Sequence, residues 1–148
     1  MPSKPTPEQV VASARALVGT PWKHQGRNPE IGIDCVGLVV VVCRQHGIPI
    51  EDRERYRRFA NGPEIIEIAD KVARRIDKDE IRPGDALVMS MQGRGYPDHA
   101  GFVGEIDGRN TVIHSYVDVG RSRVIEHGID AALMEKVIAA YRFTEDTE

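Results

Sequence analysis

The sequence predicts an α+β domain with helices first and a mainly antiparallel sheet after them. Apolar residues recur at helical spacing in the first half of the chain, and short β-type runs separated by turn residues follow "RPGD" at 82–85. Helices grouped ahead of strands are typical of α+β folds. A chain of 148 residues has the usual size of one domain and shows no repeat or linker, so we expect a single domain over residues 1–148.

The first helix is predicted to begin after Thr6. Thr6 and Gln9 have the residue types and spacing of a capping box, Pro7 suits the first helical position, and Gly19 suits the end. "GTPW" after this helix is expected to be a turn, and the polar residues 23–32 are expected to be a loop.

Residues 35–46 carry two conflicting signals. Their valines favour a strand by propensity, but Asp34 is a good N-cap, Gly47 stands where helices commonly end and Pro49 follows it. The segment is also long for a strand. We therefore predict a buried helix that begins at Cys35.

The remaining elements follow from the same kinds of pattern. Helical spacing predicts a third helix from Pro63 to Ile76, after a charged segment at 51–60 that we interpret as solvated surface. "DGRN" at 107–110 predicts a hairpin turn with Ile106 near Thr111. Strands are predicted within 86–91, 99–106, 111–117, 123–129 and 138–143, with a short helix at 130–137.

The composition argues against nucleic-acid and membrane partners. A net charge of -3 gives no basic field for nucleic acid. The longest apolar run, residues 38–43, is too short to span a bilayer, and the N-terminus lacks the apolar stretch of a secretory signal. We therefore expect synthesis in the cytoplasm and no integral membrane association.

Two cysteines, Cys35 and Cys43, are too few for a disulfide framework. On one helix their Cα atoms would lie roughly 12 Å apart at about 1.5 Å rise per residue, too far for a disulfide. A reduced cysteine is either a small buried hydrophobe or a nucleophile. Cys35 stands in the first turn of the predicted helix, where the helix dipole and free N–H groups are expected to lower the thiol pKa. The dipole contributes only about 0.3–1 kcal/mol, so a nucleophilic Cys35 would still need a base.

Three of the five histidines are poor candidates for that base. His24 lies in the polar loop, and His46 lies at the far end of the helix that begins at Cys35. His127 follows the charged stretch "VIE", and we interpret it as a surface residue.

His99 and His114 lie on the two strands of the predicted hairpin. They are a few residues out of register, and a bulge or a longer loop would bring them together. Either one of them meets Cys35 while the other orients it, or both are satisfied polar residues on a sheet face.

Several motifs in order resemble those of the NlpC/P60 family of papain-like cysteine peptidases. They are "GTPW" at 19–22, "DCVGLV" at 34–39, "RPGDALV" at 82–88 and "HAGFVGEIDGRNTVIH" at 99–114, and the resemblance extends over residues 10 to 143. The chain is similar in particular to the short stand-alone members encoded by prophages and gene transfer agents, described as phage cell-wall peptidases. The resemblance implies a papain-like fold in which the cysteine helix packs against an antiparallel sheet.

The resemblance also implies the roles of the candidate catalytic residues. Cys35 would be the nucleophile, His99 the general base that also protonates the leaving amine, and His114 the residue that orients the His99 ring. The reaction would be acyl transfer to Cys35 followed by hydrolysis of the thioester, with the backbone N–H of Cys35 helping to hold the oxyanion. No cofactor and no metal is implied.

Trp22, Asp34 and Val36 are the candidate substrate-binding residues by the same resemblance. Trp22 stands where many relatives have a tyrosine near the oxyanion site, and its indole N–H either donates there or the ring simply packs. Asp34 either lines the substrate pocket or is only an N-cap. Val36 replaces a common serine and so removes a hydroxyl that could contact substrate.

The implied function is a peptidoglycan endopeptidase that acts at the cell wall with a phage or phage-like tail. The bond expected from the resemblance joins D-glutamate to the diamino acid of the stem peptide. One alternative is a structural component of a tail tip whose catalytic site is vestigial. Another is a zinc site formed by Cys35, His99 and His114, whose ligand types suit zinc but whose spacing resembles no common zinc pattern.

Overall fold

The computed structural model describes residues 4–52, 64–93 and 95–145. Within them, helices accompany a six-stranded antiparallel sheet, which confirms the predicted α+β fold. No helix in these ranges is long and apolar enough to cross a membrane. The helices are α1 (Pro7–Arg15), α2 (Cys35–Gln45), α3 (Glu64–Val72) and α4 (Ala131–Lys136). The strands are β1 (Arg27–Asn28), β2 (Gly32–Ile33), β3 (Arg74–Ile76), β4 (Ala86–Met89), β5 (His99–Ile106), β6 (Arg109–Tyr116), β7 (Arg123–Gly128) and β8 (Val137–Arg142).

The first two helices begin where their capping residues predict. Thr6 and Gln9 form the capping box of α1. Asp34 caps α2 by accepting a hydrogen bond from the N–H of Gly37 at 2.8 Å, so the N-cap signal decides the conformation of a valine-rich segment. Gly47, just after α2, has a φ of +69°, a left-handed conformation that ends helices.

The third helix was predicted to end at Ile76, but it ends earlier. Helix α3 ends at Val72, and residues 74–76 instead form the edge strand β3, which pairs with β8. The pairing gives the backbone groups on that side of β8 their hydrogen-bond partners, which a longer α3 would leave open. Pro63 and most of the charged segment at 51–60 lie outside the described residues.

The sheet has the strand order β3-β8-β4-β5-β6-β7 and is covered on both faces. One face packs on α1, α2 and α3 through residues such as Val88, Phe102 and Ile113. The other face packs on α4, where Val103 and Leu133 share a second apolar cluster. Because side chains alternate along a strand, the odd-numbered residues at the start of β5 belong to the α4 face.

The turn between β5 and β6 is tighter than the sequence suggested. Ile106 pairs with Arg109 rather than lying near Thr111. The two turn residues, Asp107 and Gly108, have φ values of 53° and 78°, and a two-residue hairpin turn of this kind needs such positive values. This turn fixes the register of the two strands that carry His99 and His114.

A buried ion pair joins the "RPGD" motif to the last strand. Arg142 donates from Nε and Nη2 to the two carboxylate oxygens of Asp85, each at 2.8 Å. Asp85 also accepts from the N–H of Arg82 at 2.9 Å. Both side chains of the pair are buried, so the cation of Arg142 compensates a carboxylate that water does not reach.

We predict that Arg142→Met lowers the free energy of unfolding by about 3–5 kcal/mol, because it leaves the Asp85 carboxylate buried without a cation. Urea unfolding measures the change. Arg109→Met, at an exposed position next to the hairpin turn, is the matched control and should change stability by less than about 0.5 kcal/mol. Equal effects of the two substitutions would contradict the importance of the buried pair.

Candidate active site

Cys35 is the first residue of α2 and lies at the bottom of a cleft. The cleft has a volume of about 240 Å³, and its lining includes Cys35, His99, Trp22, Tyr116 and Lys136. The structure therefore brings Cys35 and His99 to one cavity, although α2 and the His99 side chain belong to opposite faces of the sheet. Both line this cleft because His99 is the first residue of β5 and Cys35 the first residue of α2.

One hydrogen bond ties the cysteine segment to the histidine strand. Ser115, the neighbour of His114 on β6, donates from its hydroxyl to the carbonyl of Ile33 at 2.7 Å, and both residues are buried. Ile33 lies two residues before Cys35. The bond holds the start of α2 against the strand that carries His114.

Asp34 has a structural role that its geometry explains fully. Besides capping α2 at Gly37, its carboxylate accepts from the backbone N–H of Gln25 at 2.7 Å and from Nη1 of Arg27 at 3.1 Å. Arg27 in turn pairs with Asp52 at 2.9 Å. The N-cap alternative for Asp34 is confirmed, and a contact with substrate stays a prediction.

The Cys35 thiol has a raised pKa, contrary to the expectation from its place on the helix dipole. Burial, with a smaller contribution from the negative charges of Asp34 and Asp98, raises the pKa of the thiol to about 12. The N–H groups of Ala100 and Val36 act in the opposite direction but do not compensate. Desolvation therefore outweighs the dipole, and the resting thiol is protonated and needs a base.

His99 and His114 form a hydrogen-bonded pair, with Nε2 of His99 2.7 Å from Nδ1 of His114. Phe102 pairs with Ile113, so continuing the same register places Gly101 opposite His114 and leaves His99 diagonal to it on the same face. The expected bulge or longer loop is not needed.

Gly101 makes room for this pair, and the sequence reasoning did not identify it. A Cβ at position 101 would lie 2.9 Å from Cβ of His114 and 2.8 Å from the carbonyl oxygen of Ile113. Both distances are shorter than real Cβ contacts allow. A glycine here is therefore required for His114 to keep its place opposite β5.

Burial keeps both rings of the pair neutral. It lowers the pKa of His99 from 6.5 to about 4, although the Asp98 charge acts the other way. Burial and, after it, the neighbouring His99 and His127 lower the pKa of His114 to about 2. A neutral His99 can accept a proton, as a general base must.

His127, interpreted from the sequence as a surface residue, is exposed but also belongs to this cluster. Its Nε2 lies 2.9 Å from Nε2 of His114, and its Nδ1 lies 2.9 Å from the carbonyl oxygen of Gly128. His127 pairs with Val112, two residues before His114, so the two histidines share a face of the sheet. The alternation of side chains along β6 and β7 shows that His114 and His127 share a face only when the register between the two strands is known.

The structure separates the other two candidate substrate-binding residues. Trp22 lines the cleft that contains Cys35, and its ring stacks on His24 with centroids 6.4 Å apart. Val36 lines a different cavity, an apolar one between α2, α3 and the sheet that also includes Ile65 and Tyr141. Substrate contacts at both residues stay predictions.

A helix that presents a cysteine at its first turn, packed on an antiparallel sheet that carries histidines, defines an α+β fold of the papain-like type. The model of the NlpC/P60 family matches residues 19–139. The chain therefore belongs to the NlpC/P60 family, as the motifs indicated. In its described part, no three His, Cys, Asp or Glu side chains are grouped so that they could hold a metal ion.

Named relatives and a solved structure agree with this assignment. Murein DD-endopeptidase MepH of Escherichia coli (strain K12) is 32% identical over 84 residues, which are 57% of this chain and 28% of the relative. Probable endopeptidase NlpC of the same strain is 33% identical over 105 residues, which are 71% of this chain and 58% of the relative. The chain thus spans less than two thirds of the length of either. The crystal structure of an NlpC/P60 family protein from Bacillus cereus ATCC 10987 has a TM-score of 0.70 and 23% identity, covering 97% of this chain and 42% of that one.

We predict that the buried neutral histidines make the fold sensitive to acid. In the unfolded chain both rings take up protons near pH 6.5, whereas the folded chain takes them up only near 4 for His99 and 2 for His114. The unfolded state therefore binds more protons between these values, and stability falls as the pH drops below about 6.5, by about 1.4 kcal/mol per pH unit for each histidine.

The substitution His114→Asn removes one of the two imidazole rings that take up a proton on unfolding. The loss of unfolding free energy between pH 6 and pH 5 should then be smaller in the variant than in the wild type, by roughly 1 kcal/mol. Urea titrations at both pH values measure it. His46→Asn, at the far end of α2, is the control, and an identical pH dependence in wild type and His114→Asn would contradict the buried neutral pair.

Proposed function

We propose that this chain is a cysteine endopeptidase that hydrolyses the peptide stems of peptidoglycan. The observation that carries the proposal is the His99–His114 hydrogen bond of 2.7 Å beside a cleft that also contains Cys35. A nucleophile, a base and a group that orients the base are the parts that acyl transfer by a thiol requires. The names of the two relatives, an endopeptidase of murein and a probable endopeptidase, support a cell-wall substrate.

The first chemical step transfers the thiol proton to His99. Nε2 of His99 is engaged by His114, so Nδ1 is the nitrogen that takes the proton from Cys35. The sulfur attacks the carbonyl carbon of the scissile amide, and we propose that the backbone N–H of Cys35 donates to the oxyanion. When the C–N bond breaks, His99 returns the proton to the leaving amine, and a thioester remains on Cys35.

The second step hydrolyses the thioester. His99 is neutral again and takes a proton from water, whose oxygen attacks the thioester carbonyl. The Cys35 sulfur leaves and regains the proton, and the product is a free carboxylate. The cycle starts from a protonated thiol and a neutral imidazole, the forms that burial favours at Cys35 and His99. The same shifts oppose a free proton transfer between the two, so the proton moves to His99 as the sulfur attacks the carbonyl carbon.

Lys136 lines the cleft and supplies a cation that can meet a carboxylate of an acidic peptide. The Asp98 carboxylate also lines the cleft, but it accepts from the N–H groups of Met91 at 2.7 Å and Gln92 at 3.0 Å. We propose cleavage between D-glutamate and the diamino acid, with the substrate carboxylates near Lys136.

We further propose that the enzyme acts at the wall in association with a phage or phage-like tail. The resemblance of the ordered motifs to stand-alone prophage and gene-transfer-agent peptidases supports this placement. Antibodies against the chain should then label the tails of phage-like particles from the producing cell, and particles without label would count against the association.

We predict that purified chain releases fragments from sacculi and isolated stem peptides, and that Cys35→Ala lowers the rate about a thousandfold or more because it removes the nucleophile. Mass spectrometry of the new termini identifies the bond and separates the D-glutamyl bond from a DD bond. Cys43→Ala is the matched control, since Cys43 is the other buried cysteine of α2 and lies outside the cleft.

An inactive wild type on several wall types would contradict the proposal and favour a structural tail component. Alkylation by iodoacetamide at pH 6 tests the same point without a substrate. Both thiols rest protonated, but His99 shares a cleft with Cys35 and can take its proton during alkylation, so an active site makes Cys35 react faster than Cys43. Equal labelling rates of the two cysteines favour the structural role.

A further inference from the structure

Three histidines on neighbouring strands form one continuous hydrogen-bonded row. His99 of β5 meets His114 of β6 at 2.7 Å, and His114 meets His127 of β7 at 2.9 Å. The row ends at the carbonyl oxygen of Gly128, 2.9 Å from Nδ1 of His127. The proposed mechanism uses the first two rings and leaves the third without a role.

The carbonyl at the end of the row decides where every proton lies. A carbonyl oxygen only accepts, so Nδ1 of His127 must carry a hydrogen to donate to it. In a neutral ring the other nitrogen is then an acceptor, and Nε2 of His127 receives a hydrogen bond from Nε2 of His114. His114 therefore has a bare Nδ1, which accepts from Nε2–H of His99.

His99, at the opposite end of the row from Gly128, has one nitrogen without a hydrogen. Because Nε2 of His99 carries the hydrogen, its Nδ1 has the lone pair. That is the nitrogen needed to take the proton of the Cys35 thiol. The opposite tautomer would place a hydrogen on Nδ1 and abolish the base.

We infer that His127, an exposed residue outside the cleft, is a positioning residue that sets the tautomers of His114 and His99 and thereby keeps the base ready. This inference rests on the proposed peptidase function. His127 acts only through His114. It lines a separate cavity of about 230 Å³ together with His114, Asp130 and Lys136, and Cys35 is not part of that cavity.

Three substitutions at position 127 separate this role from simple packing. His127→Gln offers a side-chain oxygen that can accept from His114, so it preserves the direction of the row. His127→Phe keeps a ring of similar size but neither accepts nor donates. His127→Lys can only donate, so it favours the reversed tautomer of His114.

We predict that His127→Phe lowers kcat about 10–100-fold with KM nearly unchanged, in line with other partners that orient a functional histidine. His127→Gln should recover most of the activity, and His127→Lys should be no better than His127→Phe. His46→Gln is the control, because His46 contacts Ser13 near the other end of α2 and should have wild-type kinetics. Wild-type kcat in His127→Phe would overturn the inference.

Nitrogen-15 NMR of the intact chain reads the tautomers directly and needs no substrate. In the wild type, His99 and His114 should carry hydrogen on Nε2, and His127 on Nδ1. In His127→Lys, His114 should shift toward hydrogen on Nδ1. A wild-type His99 with hydrogen on Nδ1, or a His114 tautomer that is the same in all variants, would overturn the inference even if hydrolysis occurs. If wild-type chain hydrolyses no wall peptide while these tautomers are found, the peptidase proposal fails and the tautomer inference stands.

Discussion

The positions of the three clustered histidines depend on the register of three neighbouring strands. The two-residue turn at Asp107 and Gly108 pairs Ile106 with Arg109, and this pairing alone places His99 diagonal to His114. The next pairing, between β6 and β7, places His127 on the same face. A slip of one residue in either pairing would send a histidine to the other face of the sheet and break the row. Gly101 permits this register because a side chain there would collide with His114.

Burial sets the electrostatics of the same groups. A thiol and two imidazoles in a water-poor site all favour their neutral forms, which raises the pKa of Cys35 and lowers those of His99 and His114. A charged pair would be stabilised by mutual attraction but must be desolvated first. The cleft therefore contains a neutral thiol and a neutral imidazole, and under the proposed function charge develops only when a substrate carbonyl is attacked.

The sequence predicted the elements whose ends are marked by local chemistry. Asp34 and Gly47 identified α2 despite its valines, and the residue types on the hairpin identified His99 and His114. The errors concern contacts between distant segments. The predicted end of α3 was wrong because β3 pairs with β8 near the C-terminus. His127 is exposed as expected, but its contact with His114 depends on the register between β6 and β7, which the sequence of neither strand specifies. The expected direction of the Cys35 pKa shift was wrong because the depth of burial is a property of the folded molecule and not of the local sequence.

A thiolate titration measures whether Cys35 rests as a neutral thiol. Ultraviolet absorbance of the thiolate can be followed against pH in a Cys43→Ala background, with Cys35→Ala/Cys43→Ala as the blank. A buried neutral thiol should show no thiolate at neutral pH and a transition far above the usual pKa of about 8.5 of a free thiol, toward about 12. A thiolate that is already formed at pH 7 and titrates away below pH 6 would contradict it, and would show that Cys35 and His99 rest as an ion pair.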